Sequence, residues 1–129
     1  VFFVKDAIAL LVAGGVGTLL RFLLSQWVDA KTDFSLPVAT FTVNVTGCFL
    51  FGLFWAFMRY ATGVPSSVNV VLLTGFVGAF TTFSTMTFEF LLLLKDSFFR
   101  GFLYLSVTQL LGVCFTALGI FCGKFCFIR

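Results

Sequence analysis

The chain has 129 residues, 60% hydrophobic and only 10% charged, with a mean hydropathy of +1.16. So apolar a composition excludes a water-soluble domain, which needs far more polar surface to cover its core. The net charge of +3 comes from residues flanking the apolar runs, so it does not point to nucleic acid as a partner.

The charges are grouped, and the gaps between groups have the length of roughly 20 residues that a helix needs to cross about 30 Å of hydrocarbon. The first gap predicts a helix over about 7–28, apolar except for Arg21, whose long side chain can reach toward the headgroups. The second, about 36–58, is uncharged, with Pro37 where a first helical turn tolerates it and Arg59 beyond the far end. A third span, about 68–94, follows Pro65 and runs through Glu89 to Lys95. The fourth, about 101–125, is bracketed by Arg100 and Lys124. The expected fold is therefore an all-α integral membrane domain of four helices occupying 1–129. Lys5 ahead of an apolar run also fits a signal peptide, but the run is of spanning length and three more spans follow, which favours a membrane helix. Connections of a few residues leave no room for loop-borne catalysis, so the chain is not expected to be an enzyme.

Lys5, Arg59, Lys124 and Arg129 flank one side of the membrane, and Lys31, Lys95 and Arg100, joined by Arg21, flank the other. That near balance gives the insertion machinery little to choose between and predicts insertion in both orientations. Four helices fill their own centre, so a pathway has to run between subunits, and a chain inserted both ways can pair as an antiparallel homodimer. The cysteines Cys48, Cys114, Cys122 and Cys126 lie in or beside apolar spans; with no histidine in the chain they read as packing residues, not metal ligands.

Polar groups inside the spans carry the functional information, because each is costly in hydrocarbon without a partner or water. Thr40, Asn44 and Gly47 share one face of the second helix, and Thr108, Gly112 and Thr116 one face of the fourth, with Tyr104 a turn earlier and Gln109 beside Thr108. Each face fits either a small-residue packing seam or the wall of an ion path. The third span is the most informative. Gly75 and Gly78 precede Thr81, Thr82, Ser84, Thr85 and Thr87, a run that makes a poor continuous helix and predicts a break at mid-membrane with exposed carbonyls.

Three motifs resemble the Fluc (CrcB-type) fluoride channels: Gly14, Gly15 and Gly17 leading to Arg21; the Thr40, Val43, Asn44, Gly47 group; and the block from Gly75 to Glu89 with its Thr-Thr-Phe-Ser-Thr core. The resemblance implies an antiparallel, dual-topology homodimer in a cell membrane, such as a bacterial inner membrane, with two fluoride pores and passive export of cytoplasmic fluoride. It further implies a structural sodium ion at the dimer centre on the backbone carbonyls of Gly78 and Thr81. Asn44 and Phe83 take the places of the family's pore asparagine and first pore phenylalanine, and Met86 stands where the second phenylalanine is commoner. Ser84 and Thr82 belong to the same pore block, while Tyr104, Thr108 and Thr116 correspond to a polar track whose middle hydroxyl is replaced by Gly112. By the same resemblance Arg21 guides anions at the vestibule and Glu89 lies near the pore's other end. The chemistry suits fluoride, which leaves water only for donors such as an amide, a hydroxyl or the partly positive edge of a phenyl ring. A small multidrug exporter has a similar size and topology but needs a mid-membrane acid to exchange protons, and Glu89 near the end of its span is the only candidate. A purely structural role leaves the threonine-rich break without a purpose.

Overall fold

The computed structural model describes residues 4–32 and 35–127. Arg129, counted above for orientation, lies outside the described residues, as do positions 33 and 34 of the first connection. The chain is all-helical, with four membrane-length apolar spans. Helix α1 is Val4–Asp29 and α2 is Val38–Tyr60. The third span is bent into two parts: α3, over 66–80, and α4, Phe83–Asp96. Helix α5, Phe98–Phe127, is the longest, and only Ser97, in an extended conformation, separates it from α4. Arg100, expected in a longer connection, therefore lies in the first turn of α5, where its Nη2 donates to Ser35 O at 2.8 Å and ties the two connections together.

Helices α2 and α5 form the central pair. Their contact is a seam of small residues: Gly52 of α2 lies against the backbone of Thr116, and Gly119 of α5 lies against the backbone of Phe49 and Leu53. In a bilayer there is little hydrophobic gain in bringing two helices together, so close backbone approach and dispersion have to supply the attraction. Helix α1 is peripheral, with 6% of its most apolar window buried inside the fold against 33% for α2. It packs on α3 where Gly17 admits the carbonyl of Phe76, and Gly75 lies against Leu10 and Ala13.

Much apolar surface remains outside the fold. Leu11, Trp55, Val113, Phe121 and Phe125 are all exposed, which is the distribution of a chain whose solvent is lipid.

Within α3, Val70–Val77 is π-helical, and at its end the Gly78 N–H is shared between the carbonyls of Gly75 and Leu73. Hydropathy and residue pattern gave no sign of this stretch. Its wider turns precede the break, where such irregularities commonly sit beside functional groups.

Candidate functional site

The bend is built by two adjacent threonines with opposite tasks. Thr81 (φ −82°, ψ 159°) ends α3, its Oγ1 donating back to Val77 O at 3.1 Å. Thr82 (φ −143°, ψ 111°) starts α4, its Oγ1 accepting from Thr85 N at 3.3 Å and donating to Thr85 Oγ1 at 2.8 Å. β-Branched residues favour this extended backbone, and a threonine at the N-cap satisfies a donor that a helix start leaves open.

Asn44 holds the break from α2. Its Nδ2 donates to Thr82 O at 2.9 Å, while its Oδ1 accepts from Thr82 N at 2.8 Å. The two bonds fix the amide's orientation, since a flipped amide would set donor against donor and acceptor against acceptor. One Nδ2 hydrogen is left over. The clamp also changes the carbonyls upstream. In a continuous helix Gly78 O would accept from Thr82 N, and Thr81 O from Thr85 N. Here Asn44 takes the first donor and Thr82 Oγ1 the second. Between them Ala79 O accepts from Arg21 Nε at 3.2 Å. Gly78 and Thr81 thus offer lone pairs free of their usual helical donors, and uncharged carbonyl oxygen is a suitable ligand type for a hard monovalent cation.

Beside the break lies a largely apolar groove of about 650 Å³ between α2, the bend and α5. It brings together Asn44, Gly78, Thr81, Thr82, Phe83, Met86, Thr108 and Thr116, all singled out from the sequence. Phe83 is 74% exposed, with its ring uncovered at the bend. Met86 is the reverse, 3% exposed and packed with Leu93 and Tyr104, so the groove meets only the edge of its side chain. Gln109 also lines the groove and makes no side-chain hydrogen bond among the described residues. Cys48 fills the space opposite Gly112, its Sγ 3.3 Å from where a Cβ on that glycine would stand.

The hydroxyls of the fourth span are already engaged. Thr108 Oγ1 donates to Tyr104 O at 2.7 Å, and Thr116 Oγ1 to Gly112 O at 2.9 Å. A threonine bonded back to its own helix turns lone pairs outward, and it has to rotate before it can donate to an anion. The ready donors on the groove are therefore amides: the second Nδ2 hydrogen of Asn44 and the side chain of Gln109.

Ser84, Arg21, Glu89 and Tyr104 lie outside this groove. Ser84 is exposed beside Phe83. Glu89, one helical turn beyond Met86, accepts from Thr40 Oγ1 at 2.7 Å and from Tyr104 OH at 2.9 Å, joining three helices at a second polar point. Its two hydroxyl partners explain how a carboxyl group is accommodated in an apolar span. The sequence placed Thr40 on the Asn44 face and Tyr104 on the Thr108 face, but periodicity alone does not show that both reach Glu89.

The family model for CrcB-like protein, Camphor Resistance (CrcB), matches residues 8–120. The chain is 38% identical over 117 residues to the fluoride-specific ion channel FluC of a Hydrogenobaculum species, covering 90% of this chain and 95% of that one. It is 43% identical over 118 residues to a fluoride-specific ion channel FluC 2 of Bacillus cereus, with 89% and 96% covered. With the FluC of Nitratidesulfovibrio vulgaris the identity is 42% over 113 residues, covering 87% and 91%.

Proposed function

The chain belongs to the CrcB-like family of multi-pass membrane proteins, and from that premise we propose that it is a fluoride-specific channel exporting cytoplasmic fluoride by passive electrodiffusion. The observation that carries this reading is the Asn44 clamp. It holds the third span broken at the groove and leaves an amide hydrogen on a groove that Phe83, its ring uncovered, also lines. Amide N–H and phenyl C–H are donors for a small, hard anion in a site too apolar to supply much water. Family membership replaces the multidrug-exporter alternative, whose mid-membrane acid would have to be Glu89, here bonded to Thr40 and Tyr104.

In this reading two chains pair antiparallel with their bends apposed, and each groove becomes one wall of a pore. Support comes from the exposure of Phe83 and Gly78 in the single chain and from the near balance of flanking cations. Gly78 O and Thr81 O, relieved of their helical donors, would hold a structural sodium ion, whose positive charge offsets the carbonyl ends of α3. The route for fluoride involves Asn44, Phe83, Met86, Ser84, Thr82, Thr108 and Thr116, with Tyr104 and Glu89 toward one end and Arg21 at the vestibule. Proteoliposomes loaded with equal fluoride and chloride test the function directly. Fluoride should leave at least about a hundredfold faster, as expected where donors built for one anion fail to replace the hydration shell of another. Equal rates would overturn the reading.

Met86→Phe tests the aromatic contribution. Restoring a ring edge is expected to raise fluoride flux roughly three- to tenfold, the effect of one aromatic contact. Because Met86 is buried against Leu93 and Tyr104, the larger ring also costs about 1–3 kcal/mol of packing. Unchanged flux and selectivity would remove aromatic contact at this position from the mechanism.

A further inference from the structure

Arg21 is half-buried, the less exposed of the two cations of α1, and among the described residues it makes no ion pair. Its Nε instead donates to the backbone carbonyl of Ala79, 3.2 Å away, in the last turn of α3. The approach is arranged one turn earlier. Gly17 admits the carbonyl of Phe76, so α1 lies close enough to the α3 backbone for a residue four positions on to reach Ala79. Anion attraction at a vestibule needs only a positive charge somewhere near its mouth. It does not need a bond to one particular carbonyl at the broken end of a helix.

Three of the carbonyls around the break, those of Gly78, Ala79 and Thr81, are treated differently. Gly78 O and Thr81 O have lost their helical donors to the Asn44 and Thr82 bonds, while Ala79 O, between them in sequence, is capped by a guanidinium. We propose that Arg21 is a positioning residue that keeps the Ala79 carbonyl away from the cation site, restricting its protein ligands to Gly78 and Thr81 and so setting the site's size. The inference rests on the sodium reading given above. A released Ala79 carbonyl is one more flexible oxygen at the same helix end. More ligands and a looser shell favour the larger of two cations of equal charge, so the preference for sodium over potassium falls.

That ratio separates the cap from a through-space effect of charge. Removing a nearby positive charge raises the affinity for sodium and for potassium together and leaves their ratio unchanged. Two neutral variants of similar length complete the test. Gln carries an N–H at the chain position of Arg Nε and can repeat the bond to Ala79 O, whereas Met has no donor. Purified dimers are titrated with sodium or potassium chloride against N-methylglucamine, and the midpoint of the rise in thermal stability is read for each ion.

For Arg21→Met we expect the sodium-over-potassium preference to fall at least about fivefold, the effect of losing one charge-assisted hydrogen bond. Arg21→Gln should stay within about twofold of the parent chain, although it loses the same charge. Equal ratios in Met and Gln variants overturn the proposal. If Arg21→Met yields no folded dimer, Arg21→Lys takes its place, because it keeps the charge and displaces the donor by one atom. A parent-like ratio in Lys with a reduced one in Gln then overturns the cap, and the reverse supports it. A parent chain with no sodium-dependent shift overturns the sodium reading and this proposal with it, a result distinct from a shift that Arg21 does not govern.

Discussion

Asn44→Ala should lower fluoride efflux from proteoliposomes by at least about a hundredfold. The substitution removes both bonds to Thr82 at once and leaves its N–H and C=O without partners beside a largely apolar groove. Each stranded group costs about 1–3 kcal/mol, and together they exceed what a two-residue extended segment can hold against re-forming a helix. Two outcomes are open to the backbone, and both stop conduction. Thr82 N can turn back to Gly78 O, straightening the third span and closing the carbonyl set, or the segment can fold into the groove beside Phe83. Asn44→Asp separates holding the break from binding the anion. A carboxylate still accepts from Thr82 N, so half of the clamp is kept, but its second oxygen is set against Thr82 O and it brings a negative charge to the fluoride path, so it should conduct no better than alanine. Efflux unaltered in Asn44→Ala would remove the groove from the pathway.

The spans were legible because charge and turn residues punctuate the chain at bilayer spacing, a signal that needs no knowledge of packing. The bend was legible for a different reason: Thr81 and Thr82 follow two glycines and disfavour a continuous helix whatever surrounds them. The partners that stabilise the bend were not. Asn44 and Thr82 are 38 residues apart, and Arg21 and Ala79 are 58 apart. Helical periodicity gives the face a side chain occupies but not the backbone atom it meets. Asn44 illustrates the gap, since its face was read as either a packing contact or a pore wall. The side chain makes a contact with one pair of atoms and keeps a hydrogen for the groove. The hydroxyls of Thr108 and Thr116 show the same gap: their alignment fitted a packing seam or the wall of an ion path, and it did not reveal that both donate within their own helix, to Tyr104 O and Gly112 O. The π-helical stretch had no legible signal, because Val70–Val77 is uniformly apolar apart from Thr74 and Gly75.

Gly119→Val is expected to have the largest effect on stability, leaving little or no folded protein after extraction into mild detergent. A Cβ at this position would overlap the carbonyl of Phe49 and stand 2.9 Å from Leu53 N, and both are backbone atoms of a helix that cannot turn aside. Relief requires α2 and α5 to separate by roughly an ångström along the seam that joins them, forfeiting dispersion across the whole contact. The pair supplies both long walls of the groove, so the same displacement draws Asn44 away from Thr82. Gly119→Ala is the graded form, expected to lower the thermal midpoint strongly while still yielding protein to measure. Gly15→Ala serves as the control, because nothing lies within 4 Å of its added Cβ and alanine is the better helix former by about 1 kcal/mol. The seam account requires the two alanine variants to move in opposite directions, one down and the other level or up. Equal midpoints would mean that α2 and α5 yield to a methyl group, and the groove between them would then be too soft to select an ion by its size.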